Sequence, residues 1–395
     1  MTEHDDPATG GGNEAGLPAG VPAELLPGVV GRVLGSDSAQ VRRLEYRSIF
    51  EPRVVQTRGV YLLWGEAVSH GQECSWSVVA KVLAPTPDGT PPLEATLYRT
   101  GFLASLVGGL VAPRCFGVDE LPDGAFVVWL EYLVDAAGPA WPIERFALTA
   151  FHLGQFSGTY AASGHASSSP AARMWPGAPP LPPLRRGDPR GGLDVRAAML
   201  DALRQHLDHP LVRRAYPPDV AEGFFHLWGE RERLLAALDR VPGVVCHGDA
   251  QRHNLFAGCA PDGTACTVAI DWTNLRVWPA GNDAKTLVHQ ALMYFDAEVK
   301  TAAQLDRAVF EGYVQGLRAT GRDGDVAAVR AGYIVPMVLG SGISEFGPIL
   351  GMALDERRRG WYEAVFRHPV GEILDRRAAI GRFLLGLAQE VDAFR

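Results

Sequence analysis

Lysine is nearly absent from this 395-residue chain. Of its 37 lysine and arginine residues only three are lysine: Lys81, Lys285 and Lys300. Where arginine serves for most positive charges, a lysine is expected mainly where a compact ammonium does something that a planar guanidinium cannot. The scarcity therefore directs attention to Lys81.

The chain also lacks a basic excess and a long apolar run at its start. Its formal net charge of -8 argues against a nucleic-acid partner, which would normally meet a basic face. The first residues are acidic and lead into glycine and proline, so we expect no secretory signal and a cytoplasmic protein. The apolar stretch 125–130 ends at Glu131 and is too short to cross a bilayer, so we expect no membrane segment.

Several reactive motifs are missing as well. The five cysteines are scattered, odd in number and without a C-x-x-C pair, which excludes a disulfide framework and a zinc site and suits a reducing compartment. No Gly-Lys dipeptide occurs, which excludes a P-loop. The chain has no H-E-x-x-H helix and no G-x-S-x-G elbow. Those chemistries are set aside.

The first third of the sequence predicts mainly strands. Residues 1–22 are rich in glycine, proline and acidic residues without periodicity, which predicts a mobile tail. Apolar, β-branched runs separated by turn residues between 41 and 83 predict an antiparallel meander. Leucines with helical spacing predict a helix over 93–106, with Glu94 in its first turn. Residues 125–133 predict one further apolar strand.

The rest of the sequence predicts mainly helices. Helical spacing is found in 143–160, 195–207 and 224–238, and again beyond Leu287. Residues 163–192 are rich in Ser, Pro and Gly and predict a surface excursion, which either lines the substrate pocket or is a passive loop. The whole chain is therefore expected to be of the α+β class.

A polar loop between two apolar runs satisfies the pattern H-G-D-x-x-x-x-N from His247 to Asn254. In phosphoryl transfer a carboxylate orients the attacking hydroxyl and can accept its proton, while a nearby amide oxygen holds a metal ion. Asp249 and Asn254 are residues of these types, and His247 is interpreted as a scaffold of the loop. Taken alone, the His-Gly-Asp triplet is equally consistent with a plain turn.

A second carboxylate follows after a predicted hairpin. The turn signal 259–264 precedes the apolar strand 267–270, which ends at Asp271. A carboxylate at the end of a buried strand is costly unless it meets a cation or hydrogen-bond donors, so Asp271 is a candidate metal ligand. A helix or turn cap is the alternative. Because a hairpin separates Asp249 from Asp271, both can face one cleft.

The third element is the lysine strand. Val78-Val79-Ala80-Lys81 loosely matches the V-A-I-K signature, in which a lysine held by a helix glutamate binds the α- and β-phosphates of ATP. Glu94 is the candidate glutamate. As an isolated observation such a pair is more often a solvated surface pair, but the order of lysine strand, glutamate helix, catalytic loop, hairpin and metal aspartate favours the functional interpretation.

This order of motifs resembles the aminoglycoside phosphotransferase family, which shares a two-lobed fold with protein kinases and includes choline kinase-like small-molecule kinases. The resemblance covers roughly 41–383. The tryptophan after Asp271 and the G-x-D-like segment Gly281-Asn282-Asp283 are similar to that family's pattern. The resemblance implies a small antiparallel β lobe over 23–131 that binds nucleotide, and a mainly α-helical lobe over 132–395 that holds the catalytic and acceptor sites.

The resemblance also implies an ATP- and Mg²⁺-dependent kinase that phosphorylates a hydroxyl group of a small molecule. Asp249 is then the catalytic base, with Asn254 and Asp271 as metal ligands. His247 and Asp283 support the catalytic loop. The implied nucleotide-binding residues are Lys81, Glu94, Gly59, Glu131 and Leu133, the last two in the hinge between the lobes.

Four matters stay open at this level: the phosphate loop, the alternative function, the acceptor and the oligomeric state. The region 56–61 contains only Gly59 and not G-x-G-x-x-G, so it matches a phosphate loop weakly. Protein kinases are a poorer match because D-F-G and A-P-E are absent, so we expect no protein acceptor. A catalytically silent nucleotide-binding regulator is the alternative function. The acceptor could be an antibiotic, a sugar, an amino alcohol or a natural-product intermediate, and the oligomeric state is not predicted.

Overall fold

A computed structural model describes residue 17 and residues 20–50, 56–160 and 184–391 of the chain. Nearly all of the predicted tail lies outside the described residues. The same holds for most of the predicted excursion 163–192, of which only 184–192 are described.

The first lobe is built on a five-stranded antiparallel sheet with the strand order β1-β2-β3-β6-β5. Its strands are β1 (Gln40–Phe50), β2 (Thr57–Ser69), β3 (Gln72–Leu83), β5 (Cys115–Glu120) and β6 (Phe126–Leu130). Side chains on β3 alternate between the two faces. Val78, Ala80 and Val82 belong to one apolar core, and Val79 and Leu83 belong to the other. Lys81 therefore lies on the second face.

Two helices cover this sheet. Helix α1 (Leu26–Leu34), which the sequence did not predict, packs Val29 and Val30 into the core that contains Val78 and Val82. Helix α2 (Leu93–Arg99) belongs to the opposite core. It is shorter than the predicted 93–106, because the chain turns at Gly101 with φ 75° and continues in the short turn Leu103–Ser105.

The predicted strand 125–133 was too long. Strand β6 ends at Leu130, and the backbone N–H of Glu131 donates to the carbonyl of Arg114 at 2.9 Å. From there the chain crosses without regular structure to the helix that begins at Ile143.

The second lobe is mainly helical. Its helices are α3 (Ile143–Thr159), α4 (Leu193–Gln205), α5 (Pro210–Ala215), α6 (Pro218–Gly229), α7 (Arg231–Ala237), α8 (Asn282–Met293), α9 (Ala302–Ala319), α10 (Val326–Val335), α11 (Phe346–Leu354), α12 (Glu356–Phe366) and α13 (Val370–Glu390). The single helix predicted over 224–238 was wrong: the segment holds the end of α6 and the start of α7, with a break at Glu230. The helices predicted over 143–160 and 195–207 are present to within two residues.

Short strands fix the loops between the lobes. Strand β7 (Gly243–Cys246) pairs antiparallel with β10 (Arg276–Pro279). Strands β8 (Leu255–Cys259) and β9 (Ala265–Ala269) form the predicted hairpin, and β4 (Leu110–Val111) runs parallel to β9. The loop from β7 to β8 and the loop after β9 are thereby held side by side.

One apolar run, which the sequence analysis did not consider, is long enough to be a candidate membrane span. Residues Val326–Leu354 are helical, and by length and composition alone this run could cross a membrane. In this fold 67% of its most apolar window is buried inside the protein, as expected of a core helix. The run is also interrupted by a π-helical stretch at Pro336–Gly342, where proline provides no backbone donor.

Candidate active site

Lys81 connects the two lobes. Its ammonium is 2.6 Å from Glu94 Oε2 and 2.9 Å from Asp271 Oδ1. The side chains of Lys81 and Glu94 are only 10% and 1% exposed. Burial opposes the charged form of Lys81, but the two carboxylates outweigh it and raise its pKa above 10.5. The lysine is held as a cation that can bind phosphate.

Glu94 also anchors the turn that carries Asp271. Its Oε1 accepts from the backbone N–H of Trp272 at 3.4 Å, and its Oε2 lies 3.3 Å from the Thr273 hydroxyl. The same hydroxyl donates to Asp271 Oδ1 at 2.9 Å. Helix α2 of the first lobe is thus tied to the candidate metal loop of the second.

Asp271 adopts an unusual backbone conformation. Its φ is 62° and its ψ is 64°, in the left-handed region that a residue with a side chain seldom occupies. Such strain, on the order of 1 to 3 kcal/mol, persists only where the surroundings enforce it, and it is common at functional sites. Burial raises the pKa of Asp271, but the charge and hydrogen bond of Lys81 overcome this and leave the pKa below 3.8. Asp271 is therefore an ionised carboxylate.

Asp283 braces the catalytic loop from below. Its fully buried carboxylate accepts from the backbone N–H groups of His247 at 2.7 Å and Gly248 at 3.0 Å. Gly248 has φ 83°, and a Cβ there would collide with the carbonyl of Asn274. Burial raises the pKa of Asp283 to about 6 against these two bonds. Asp283 therefore holds the backbone at His247 and Gly248.

His247 acts within the protein rather than toward a substrate. It is fully buried, its Nε2 lies 3.0 Å from the carbonyl of Ile270, and its ring packs edge-on against Trp272 at 4.6 Å. Burial lowers its pKa to about 4, so the ring is neutral at pH 7. His247 therefore links the loop to the residue that follows β9.

Asp249 is oriented by two side-chain amides. The Nε2 of Gln251 lies 3.1 and 3.2 Å from the two carboxylate oxygens, and Asn254 Nδ2 donates to Oδ2 at 3.0 Å. Burial, followed by the charge of Asp271, raises the pKa of Asp249 above 3.8. A partly buried carboxylate with a raised pKa is suited to accept a proton from a hydroxyl.

The donor set fits a hard divalent cation. The nitrogen of the Asn254 amide is committed to Asp249, which leaves its oxygen available, and Asp271 Oδ1 faces Lys81 and Thr273, which leaves Oδ2. Among the described residues no group of three or more His, Cys, Asp and Glu side chains is placed to hold a metal ion. Two oxygen ligands without a protein cage are typical of Mg²⁺ bound together with nucleotide phosphates.

The remaining predicted nucleotide residues surround the same cleft less directly. Gly59 lies on β2 one position from Val60, which is the partner of Lys81 across the β2-β3 pair. Glu131 Oε1 accepts from the backbone N–H of Arg114 at 2.8 Å, so this side chain serves the hinge backbone. Leu133 is half-buried in the crossing between the lobes. Their roles with nucleotide remain predictions.

A cavity of about 320 Å³ opens beside the catalytic loop. Its wall includes Gly248, the neighbour of Asp249, and residues of helix α8 such as Lys285. The Lys285 ammonium donates to Ser341 Oγ at 3.0 Å. Burial lowers the pKa of Lys285 to about 8, partly offset by Asp283 and Asp249.

The described end of the predicted excursion forms part of that cavity. The carbonyl of Arg185 accepts from Val277 N–H at 3.1 Å, and Gly187 N–H donates to the Val277 carbonyl at 2.7 Å, which fastens the segment to β10. Asp188 and Pro189 then line the cavity. The segment 184–192 therefore contributes to the pocket wall.

Sequence reasoning missed three polar residues of the site: Gln251, Thr273 and Lys285. Gln251 and Thr273 lie within two residues of Asp249 and Asp271, but no periodicity marks a side chain that folds back on its neighbour. Lys285 had a signal, since it is one of only three lysines. Its place in the cavity depends on packing between helix α8 and the π-helical stretch.

The fold is the two-lobed kinase-like α+β fold predicted from the sequence. No protein-family model matches the chain, and no curated protein matches it. Among solved structures, the chain is similar to an aminoglycoside phosphotransferase from Alicyclobacillus acidocaldarius, with a TM-score of 0.54 and 13% identity over 91% of this chain and 96% of that one. At this identity the likeness establishes the fold alone.

Two more distant structures have TM-scores too low to establish a common fold. An amicoumacin kinase in complex with AMP-PNP and Ca²⁺ has a TM-score of 0.47 and 14% identity over 84% of this chain and 88% of that one. An ethanolamine kinase from Plasmodium vivax has a TM-score of 0.43 and 10% identity over 86% and 82%.

Proposed function

We propose that this protein is an ATP-dependent phosphotransferase that phosphorylates a hydroxyl group of a small molecule. One observation carries the proposal: Asp249, oriented by Gln251 and Asn254, is near enough to Asp271 for that charge to raise its pKa, and it directly follows Gly248, which lines the cavity. A carboxylate near both a lysine-bound aspartate and a pocket for a small molecule suits phosphoryl transfer.

Residues of both lobes would bind and orient the nucleotide. Lys81, kept charged and fixed by Glu94, would bind the α- and β-phosphates. The hinge 131–133 would lie beside the base. Asn254 and Asp271 would hold Mg²⁺, which when bound neutralises charge on the β- and γ-phosphates. Because Asp271 contacts Lys81 here, nucleotide binding would exchange part of that contact for contacts to phosphate.

Asp249 accepts the proton of the acceptor hydroxyl. The acceptor oxygen attacks the γ-phosphorus while the bond between that phosphorus and the β,γ-bridging oxygen breaks, and ADP leaves. The hydroxyl proton passes to the Asp249 carboxylate, whose raised pKa favours this transfer. Gln251 and Asn254 keep both carboxylate oxygens in place, so little reorganisation is needed.

Two further observations support the proposal. The one solved structure above that shares the fold is named an aminoglycoside phosphotransferase. The alternative, a silent nucleotide-binding regulator, needs neither an oriented Asp249 nor a cavity beside it, and this chain has both.

The test is a transfer assay with the full chain, Mg²⁺, and ATP or GTP against a broad panel of hydroxyl-bearing small molecules, with mass-spectrometric detection of an added phosphate. We expect transfer to at least one acceptor, and a drop of about 10³-fold for Asp249→Asn with nucleotide affinity retained. Undiminished transfer by that variant would overturn the assignment of Asp249. Tight nucleotide binding with transfer to no acceptor would favour the regulator.

A further inference from the structure

The cavity beside the catalytic loop is one of two adjoining compartments. A second cavity, of about 190 Å³, shares Gln290 and Glu345 with the first. The first is lined largely by polar side chains, including Thr286 and Ser341. The second is lined mainly by apolar and aromatic side chains: Met293, Tyr294, Ile349, Met352, Trp361 and Tyr362.

Glu345 marks the border between the compartments. Its side chain lines both and is half-buried, and within the described part of the chain its carboxylate makes no hydrogen bond and no ion pair. Burial raises its pKa above 4.5, and the charge of Arg377 opposes this only in part. A half-buried carboxylate at the border of two cavities can accept a donor or a cation of a ligand as its partner.

His289 is a second side chain without a partner at this place. It lines the first cavity, is only 2% exposed, and neither ring nitrogen has a hydrogen-bond partner among the described residues. Buried polar atoms of this kind are rare unless water or a ligand serves them. Two unpaired polar side chains on one cavity point to a ligand with its own polar groups.

The charges of the first cavity do not favour a polycation as its ligand. Asp188 and Glu345 provide two negative charges, and Arg196 and Lys285 provide two positive ones. Several ammonium groups placed there would meet as much repulsion as attraction. A ligand with a single positive charge can instead pair with Glu345 alone.

We infer that the acceptor is an amphipathic alcohol with a single amine. Its hydroxyl would lie near Gly248 and Asp249, its amine against Glu345, and its apolar ring or chain in the second compartment. This inference rests on the proposed function, since it assigns the acceptor of the same site. It separates this protein from a kinase for polycationic sugars.

The test uses three small probes and the full chain, with binding followed by ligand-observed NMR. N-benzylethanolamine carries a hydroxyl, an amine and an apolar ring. In 2-(benzyloxy)ethanol an ether replaces the amine, and ethanolamine lacks the ring. We expect N-benzylethanolamine to bind about tenfold more tightly than either of the others, as a charge-assisted contact and a buried ring would provide.

Two variants separate the contribution of the amine from that of the apolar ring. Glu345→Gln keeps the shape of the side chain and is expected to abolish the preference for N-benzylethanolamine over 2-(benzyloxy)ethanol. Trp361→Ala, at a side chain that is already 49% exposed, is expected to weaken both benzyl probes and leave ethanolamine unchanged. Glu356→Gln, at an exposed position outside both compartments, is the matched control and should change nothing.

The acceptor panel then distinguishes the two levels of failure. Phosphate transfer confined to polycations such as kanamycin, or equal binding of the three probes, would overturn the inference and leave the proposed function intact. Probe binding that follows the expected order, with transfer to no acceptor of any class, would overturn the proposed function. Transfer to amine-bearing amphipathic alcohols that Glu345→Gln reduces about tenfold, with the KM for ATP unchanged, would support both.

Discussion

Lys81 shares its ammonium between carboxylates from two lobes, 2.6 Å from Glu94 and 2.9 Å from Asp271. Glu94 in turn holds the backbone after Asp271 through the N–H of Trp272. The Lys81 ammonium, the first lobe and the candidate metal loop are therefore one hydrogen-bonded unit. A change in any member should affect both stability and nucleotide binding.

Replacing Lys81 should show how much its positive charge contributes to the stability of this hydrogen-bonded unit. Lys81→Met leaves Glu94 buried and without its cation, which should lower the free energy of unfolding by about 3 to 5 kcal/mol. Adding Glu94→Gln should recover part of that loss. Urea unfolding at pH 7 measures both, with Arg214→Met, at the exposed pair with Asp375, as the control that should change the free energy of unfolding little. Equal losses in the free energy of unfolding for Lys81→Met and Arg214→Met would contradict the prediction.

Gln251 should matter for turnover and not for nucleotide affinity. Its amide contacts both oxygens of Asp249, so Gln251→Leu should lower kcat about tenfold while the KM for ATP stays the same. Gln251→Glu should be worse, because a second carboxylate would repel Asp249. Steady-state kinetics with an acceptor from the panel provides the measurement. A rise in the KM for ATP with unchanged kcat would show that Gln251 serves the nucleotide instead.

Lys285 lines the cavity, and its buried charge should lower the free energy of unfolding. Its pKa is lowered from 10.5 to about 8 by burial, so at pH 7 the folded protein holds a charge that the unfolded chain accommodates more easily. Lys285→Met should therefore raise the free energy of unfolding at pH 7 by about 1 to 2 kcal/mol and reduce acceptor phosphorylation.

The sign of the Lys285 effect can be checked by measuring the free energy of unfolding as a function of pH. Between pH 8 and 10.5 the unfolded wild type binds more protons at this residue than the folded protein does, so wild-type stability from this group rises with pH. The advantage of Lys285→Met should shrink over the same range. Lys300→Met, on a lysine outside the cavity, is the control. An advantage that is constant with pH would assign the gain to packing.

His289 should make the protein sensitive to acid. Burial lowers its pKa to about 3, so the unfolded chain takes up a proton near pH 6.5 while the folded protein does not. The stability from this group is complete above about pH 6.5 and is lost as the pH falls toward 3, by up to about 1.4 kcal/mol per pH unit. Urea unfolding at pH 7, 6 and 5 should show a shallower decline for His289→Leu than for the wild type. The exposed His226→Leu should decline like the wild type.

The sequence was most informative where chemistry is local. The loop from His247 to Asn254 and the strand that leads to Asp271 are short segments bounded by apolar runs, so residue type and spacing sufficed to predict them. The pairing of Lys81 with Glu94 was predicted as well, because a strand and the next helix are adjacent in the chain. The length of helix α2 and the break at Glu230 were not, since helix ends depend on tertiary contacts.

Residue type and order along the chain determined the α+β class, the candidate catalytic loop and the two candidate metal ligands. Only the tertiary structure decided that the Lys285 ammonium meets Ser341, 56 residues away, and that the two compartments meet at Glu345. Those features arise from side chains that are distant in sequence and packed together by helices α8, α11 and α12. Periodicity reports which face of a helix is buried, and it does not report which other helix that face meets.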